Sequence, residues 1–388
     1  MQRIFKTALW LAPLCFVFTG CGGKPDSDTS TTTSDSSAAA TSDSSASATS
    51  GSTSAGASSD AGAAPASGPA ITIGYSDWPG WTCWDIADQK GFFKKHGVNV
   101  KLVWFPNYTD SLNALAAGKV DANCQTWSDS MGPLAEGEPL KAVLVNDNSF
   151  GNDAVIAKPG ITSVKQLRGK KVATELGTVD HFLLLKALEA NGMTEKDVKF
   201  TNIKVQDCPA AMLGGAVDAV VVWEPSRSKL LHDMKGSTVV YDSTQVPGLI
   251  PDLLVVQSKV VESRPADIQK IVDAWYDMLG WWKTHPDEAV QIMAKRTSSP
   301  VSFYQGFIKG TRIFSAPEAL TAMTKGPGVD SLYTSGDQVA KFLLKVDQVK
   351  KVPDYGSAID PQFIKAALDK GLGKSSPYTY NVKIAQAP

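Results

Sequence analysis

The chain has 388 residues, 43% of them hydrophobic and 20% charged, and its 38 basic and 39 acidic side chains leave a net charge of −1. That length allows two or three domains, and the even charge balance supplies no electrostatic footprint for nucleic acid. No apolar run reaches the ~18–20 residues that span a bilayer, which excludes a polytopic membrane protein.

The chain opens with an export signal. Arg3 and Lys6 precede an apolar run from Ala8 to Phe18, and the small residues Thr19 and Gly20 lead to Cys21, the order of a secretory signal over residues 1–21. The Phe-Thr-Gly-Cys ending resembles a bacterial lipoprotein box, with Phe18 where the pattern usually has Leu. The resemblance implies that Cys21 becomes the mature N-terminus and carries the lipid.

A tether follows. Of the 48 residues 22–69, 39 are Ser, Thr, Ala or Gly, and none is Val, Ile, Leu, Met or aromatic. Such a segment cannot bury enough surface to offset chain entropy and is expected to be disordered, with a span on the order of 40 Å. Lipid, leash and body describe a protein exported and anchored to a cell membrane. Its body would work in the periplasm or outside the cytoplasmic membrane.

The body, residues 70–388, carries 35 basic and 34 acidic residues. Its pattern predicts a strand at 71–75, a helix at 84–96, a strand at 98–104, a helix at 108–117 and a strand at 120–124. That β-α-β-α-β order argues for a parallel sheet covered by helices. The order recurs with a strand at 171–174, a helix at 179–190, a strand at 198–205, a helix at 208–213 and a strand at 217–223. Gly118-Lys119-Val120-Asp121-Ala122 answers Gly215-Ala216-Val217-Asp218-Ala219 at an offset of 97, so the two halves read as related lobes.

Two connecting stretches, 146–159 and 241–257, each hold a further strand, at 154–157 and 253–257. A chain that leaves one lobe, builds another and returns crosses twice, which makes a hinge and a cleft that closes on a ligand. The expected organisation is lobe 1 over 70–152, lobe 2 over 153–250, and a return to lobe 1 with C-terminal helices over 251–388. The clearer of those helices read as 268–283, 286–295 and 361–370.

In open α/β sheets the ligand lies beyond the carboxyl ends of the strands. Those ends hold Asp77, Asp129, Asp153, Glu175, Asp180 and Glu224 with Trp78, Trp81, Tyr108, Trp127 and Trp223, and no Lys or Arg. Carboxylates beside indole faces suit a small cation, which they can hold by paired hydrogen bonds and by cation–π attraction of ~0.5–2 kcal/mol. The opposite possibility is an anion on the helix start at Gly177-Thr178-Val179; Asp180 argues against it, unless that acid only caps its own helix. Trp84 and Trp104 read as core. Trp78, Trp127 and Trp223 either line the cleft or pack beneath it.

Cys83, Cys124 and Cys208 remain after Cys15 and Cys21 are set aside. Cys83 and Cys124 either form a disulfide within one lobe or are small buried residues, and Cys208 packs as a hydrophobe. The four histidines show no metal-ligand spacing, and no phosphate loop, dinucleotide fingerprint or nucleophile elbow is present. The sequence therefore predicts no metal, no cofactor and no catalytic residue.

Residues 74–81, Lys90-Gly91-Phe92-Phe93, 111–118, Glu175-Leu176-Gly177-Thr178 with His181-Phe182-Leu183-Leu184, and Val222-Trp223-Glu224-Pro225 together resemble the substrate-binding lipoproteins of ABC importers of the nitrate/sulfonate/taurine type. The resemblance implies a two-lobed type II periplasmic-binding-protein fold, cleft closure on a small-molecule solute, and delivery to a permease driven by a separate ATPase. A monomer is expected. The run 148–156 is similar to a branch associated with urea-carboxylase gene clusters, which implies guanidine or a related nitrogen-rich solute. The ligand residues expected for such a cation are Asp77, Trp78, Trp127, Asp153, Glu175, Asp180, Trp223 and Glu224. The alternative cargo is a small anion such as an aliphatic sulfonate, taurine or nitrate. A less favoured alternative is a pyrimidine-precursor enzyme of related fold.

Overall fold

The computed structural model describes residues 68–379. The expected signal, Cys21 and nearly all of the tether lie outside the described residues.

The chain lays down β1 (Ile71–Tyr75), β2 (Val100–Trp104), β3 (Ala122–Thr126) and β4 (Leu140–Ser149), and then crosses to a second region. There it builds β5 (Ala154–Ala157), β6 (Lys171–Thr174), β7 (Lys199–Asn202), β8 (Ala219–Val222) and β9 (Thr238–Asp242). It returns with β10 (Pro251–Gln257) and later β11 (Thr311–Ile313). The first sheet has the order β11-β4-β10-β3-β1-β2, and the second has β7-β6-β8-β5-β9.

Each sheet has a parallel trio, β2-β1-β3 and β7-β6-β8, extended by antiparallel strands. The expectation of a parallel sheet therefore holds for the trios alone. The strands that follow the two crossings, β5 and β10, run against β8 and β3, because a chain that has passed between lobes comes back from the opposite end.

The internal repeat is visible at the level of single bonds. Ala122 pairs with Ile73 of β1, and Ala219 pairs with Val172 of β6. One residue earlier, Asp121 Oδ2 accepts from the Thr72 backbone N–H at 2.8 Å, and Asp218 Oδ2 accepts from the Lys171 N–H at 2.9 Å. Gly118 and Gly215 both take positive φ, 67° and 80°, to turn the chain out of the preceding helix, a conformation costly for residues with a Cβ. Val120 and Val217 are both buried. The five-residue motif is thus a helix-to-strand turn whose Asp ties its strand to the neighbouring one.

The predicted helix over 84–96 is two helices, Cys83–Gln89 and Phe92–Lys95. Gly91 between them has φ 72°, which no continuous helix accommodates. The C-terminal helix Pro265–Thr284 packs on this pair. Its Trp275 lies 4.6 Å from Trp84, and Trp84 stacks on Phe93 at 5.9 Å. Trp84 is fully buried, whereas Trp104 is half-exposed and lies under the Arg296 guanidinium at 5.6 Å.

The crossings at 150–153 and 243–250 are bonded to each other. Ser149 Oγ meets Ser243 Oγ at 2.7 Å, the Gly151 N–H donates to Ser243 Oγ at 2.6 Å, and the Ser243 N–H donates to the Asp153 carbonyl at 3.0 Å. This short seam joins the two crossings, and residues at the carboxyl ends of both parallel trios gather beside it.

Candidate functional site

Beside the seam lies a small enclosed cavity of about 10 Å3, lined by Trp78, Trp81, Tyr108, Thr126, Asp153, Val179, Trp223, Ile250 and Asp252. That is room for about one water, so the cleft is closed in this structure. The turn after β1, the helix start after β2, the end of β3 and the start of β10 with the residue before it supply part of the wall, and Asp153, the helix start after β6 and the residue after β8 supply the rest.

Aromatic rings wrap the cavity in a chain. Trp78 and Trp81 are 6.3 Å apart, Trp81 and Tyr108 5.1 Å, and Tyr108 meets Trp223 edge-on at 5.6 Å. The last contact joins the lobes, as does the hydrogen bond from Trp223 Nε1 to Asp77 Oδ1 at 3.0 Å. Trp78 Nε1 donates to Asp147 Oδ1 at 2.9 Å. Gly80 makes that approach possible: a Cβ there would stand 1.8 Å from Asp147 Oδ2.

The acids around the cavity are buried and poorly compensated. Asp153 and Asp252 face it from lobe 2 and lobe 1. Asp153 is 2% exposed and Asp252 1%, and Asp153 Oδ2 and both Asp252 oxygens have no hydrogen-bond donor among the described residues. Behind Asp252, Asp147 sits directly across on β4 within hydrogen-bonding reach. Behind Asp153, Asp180 lies in the first turn of the helix Val179–Ala190, also within reach and fully buried.

Burial pushes all four of these carboxyls up, and their mutual repulsion adds to it. Burial also pushes Asp77 and Asp129 up to about 6. No Lys, Arg or His is among the groups acting most strongly on these six acids. Nor do the described acids group in a way that would hold a metal ion.

The anion position expected as an alternative is already occupied by the chain itself. The Leu176 N–H donates to Asn202 Oδ1, the Gly177 N–H to His181 Nδ1 and the Thr178 N–H to the Glu175 carbonyl. The Val179 N–H is turned toward the Asp129 carboxylate. His181 is therefore a structural link, and its Nε2 reaches Glu195 at 2.7 Å.

The sequence-derived candidates divide. Trp78, Asp153 and Trp223 line the cavity, while Asp77 and Asp180 stand immediately behind it, each bonded to or paired with a lining residue. Trp127 does not line it: its indole N–H donates to the Leu332 carbonyl and its ring packs on Tyr355, so it anchors the C-terminal helix Leu332–Lys345. Glu224 is also turned away, accepting from Arg227, the Ser228 N–H and the Ser228 hydroxyl at 2.8–3.1 Å. It caps the helix that follows it. Glu175 is buried beside Asp180 but is not among the lining residues.

Of the two alternatives for Cys83 and Cys124, the structure has the unbonded one: both thiols are free and buried. Cys83 points at the Pro79 carbonyl and Met293, whereas Cys124 accepts from the Trp84 indole N–H at 3.2 Å. Trp81 and Tyr108, placed at the strand ends by the sequence but left out of the expected ligand set, also line the cavity, and Asp147 and Asp252 were not anticipated at all. The first two sit in strand-end segments. The last two are acids inside apolar strand runs, a signal present in the letters Val-Leu-Val-Asn-Asp and Pro-Asp-Leu-Leu-Val.

Residues 78–289, more than half of the chain, match the family described as NMT1/THI5 like. A Bacillus subtilis (strain 168) binding protein named for aliphatic sulfonates is 26% identical over 292 residues, 74% of this chain and 84% of that one. The taurine-binding periplasmic protein of Escherichia coli (strain K12) is 25% identical over 71% of this chain and 86% of its own length. The crystal structure of the periplasmic aliphatic sulphonate binding protein from Escherichia coli aligns over 77% of this chain and all of that one, at 22% identity and TM-score 0.64. The two-lobed α/β fold is thus that of periplasmic binding proteins. The sulfonate- and taurine-binding relatives are named for binding, although a Haemophilus influenzae protein named for thiamine biosynthesis is also similar, at 31% identity over 53% of this chain and 66% of its own length.

Proposed function

The chain belongs to the NMT1/THI5-like family, and we propose that it is the solute-capturing component of an ABC importer whose cargo is a small nitrogen-rich cation. The solute enters between the lobes, the seam at Ser149 and Ser243 flexes, and closure brings Trp223 onto Asp77 and Tyr108. The closed form is then read by a membrane permease coupled to a separate ATPase. The lipid on Cys21 and the tether, both read from sequence, would keep the body near that permease.

The observation that carries the cargo is the cavity wall itself. It presents the buried carboxyls Asp153 and Asp252, whose Oδ2 and both oxygens respectively lack a donor among the described residues, and four large aromatics, with no basic side chain. An anion would have to enter a space whose fixed groups repel it once ionised, and before the helix start that would receive it the Leu176, Gly177 and Thr178 amides already have acceptors within the chain. A flat cation with several N–H donors gains both carboxylates and the indole faces.

The second reading, a sulfonate or taurine, is favoured by the names of the relatives and by the buried, unpartnered Trp81 indole N–H in the cavity wall. Because Trp78, Trp81 and Trp223 line the cavity, intrinsic tryptophan fluorescence separates the two. Titration with guanidinium, methylammonium, urea, taurine and nitrate at pH 8 is expected to give a saturable change with guanidinium. A saturable change with taurine or nitrate alone would replace the proposed cargo with the anion.

A further inference from the structure

We propose that the two carboxyl pairs behind the cavity, Asp147 with Asp252 and Asp153 with Asp180, each hold one shared proton in the empty closed cleft, and that a bound cation displaces a proton on entry. The inference rests on the cation cargo and adds how the site is regulated.

Each lobe contributes one pair. Asp147 and Asp252 are cross-strand neighbours on β4 and β10 of the first sheet. Asp153 immediately precedes β5, and Asp180 sits in the first helical turn after β6. Closure places Asp153 and Asp252 on one cavity, so four carboxyls converge where water is nearly excluded. All four are at least 98% buried by their side-chain environment, with relative exposures of 0% for Asp147 and Asp180, 1% for Asp252 and 2% for Asp153.

Two adjacent buried carboxylates cannot both stay ionised. A proton on one member of each pair removes one charge and supplies the donor that the other lacks. That accounts for buried oxygens on all four residues having no other donor among the described residues. The cavity is too small for a hydrated counter-ion.

The surroundings offer no substitute charge. Asp153 is faced by Asp129 from the helix Trp127–Glu136, by Glu224 after β8 and by the Ser149 hydroxyl. Asp180 is faced by Asp129 and Glu175, and it in turn pushes the Cys208 thiol up. Asp252 is faced by Asp153 and Asp129, and Asp147 by the Trp78 indole N–H and Asp153. Arg227 is the basic group in this neighbourhood, and it is held by Glu224.

When a cation enters, it takes the carboxylates as hydrogen-bond acceptors, and a carboxyl proton leaves to solvent. One positive charge is gained and one lost, so the cavity keeps its net charge. Affinity therefore rises with pH: with about one proton released per cation, the dissociation constant falls about tenfold per pH unit between pH 6 and 8.

The test uses the intact chain and guanidinium as probe. Infrared spectra of the ligand-free protein at neutral pH are expected to show a protonated-carboxyl band that shrinks in Asp252→Asn and again in Asp153→Asn. Calorimetry of guanidinium binding in buffers of different ionisation enthalpy is expected to report about one proton released. Absence of the band in the wild-type protein overturns the proposal. Binding without proton release also overturns it while leaving the cation cargo standing. Failure of both guanidinium and methylammonium to bind overturns the cargo, and the exchange with it.

Discussion

Asp121 and Asp218 can be set against Asp147, Asp153, Asp180 and Asp252, at the opposite ends of the same two sheets. At the amino ends each Asp receives a backbone N–H at 2.8–2.9 Å and ties one strand to the next. At the carboxyl ends the acids face one another, with oxygens that receive no donor. The same residue type is a fastener where amides converge on it and a poised charge where they do not. The first kind ties strands together, and the second kind gathers at and behind the cavity.

The comparison is broken most severely by neutralising a cavity acid. Asp252→Asn is expected to weaken guanidinium binding at pH 8 by at least ~100-fold, the scale of removing one partner of a buried ion pair. Its melting temperature should not fall, because a repulsive charge is lost. A variant that binds normally would take Asp252 out of the site.

The second consequence concerns the empty protein and pH. The cavity acids keep their protons in the folded state to higher pH than in the unfolded chain, where they ionise near 3.8; for Asp77 and Asp129 the folded value is about 6, and the paired acids are also raised. The folded state thus binds more protons across this window, so stability is greatest at its acidic end and is lost as pH rises through it. Thermal unfolding without ligand should show a melting temperature at least ~5 °C lower at pH 8 than at pH 5.5. A higher value at pH 8 would mean the carboxyls are ionised and compensated.

Removing a fastener should do the reverse. Asp121→Ala and Asp218→Ala are each expected to cost ~1–3 kcal/mol of stability, the worth of hydrogen bonds to a charged acceptor. The two losses should add within ~0.5 kcal/mol because the sites lie on different sheets. Denaturant titration of the single and double variants measures this, and ligand affinity should change less than about twofold.

The smallest effects sharpen the border between cavity and support. Glu224→Gln should weaken the cap on Ser226–Asp233 by ~1 kcal/mol and change cation affinity by no more than about threefold. A large loss of affinity would bring Glu224 into the site. Reducing agent should leave the melting temperature unchanged within about 1 °C, because Cys83 and Cys124 are free thiols.

The repeat was legible in the sequence, although the role of its Asp residues was not. Gly118–Ala122 and Gly215–Ala219 carry the same letters because they make the same turn, with the same buried Val and the same Asp-to-amide bond. The aromatic turn 76–81 and the ends of β6 and β8 were equally legible, since parallel strands point their carboxyl ends at the cleft. Asp252 was not, because β10 runs antiparallel to β3 and presents its first residues there: Asp252 pairs with Thr126, the last residue of β3. Asp147 is hidden the same way, across from Asp252 on β4. Trp127 and Glu224 stand at the right strand ends, yet their side chains are claimed by Leu332 and by Arg227 and Ser228. Only the tertiary packing of a segment two hundred residues away decides the first of these.

The central claim, that carboxyls and indoles close on a cation, is tested most directly by side-by-side calorimetric titration of guanidinium and taurine into the wild-type protein and Asp153→Asn at pH 8. The account predicts that guanidinium binds the wild-type protein and fails with the variant, and that taurine binds neither. Taurine binding to the wild-type protein, unchanged or strengthened in Asp153→Asn, would contradict it.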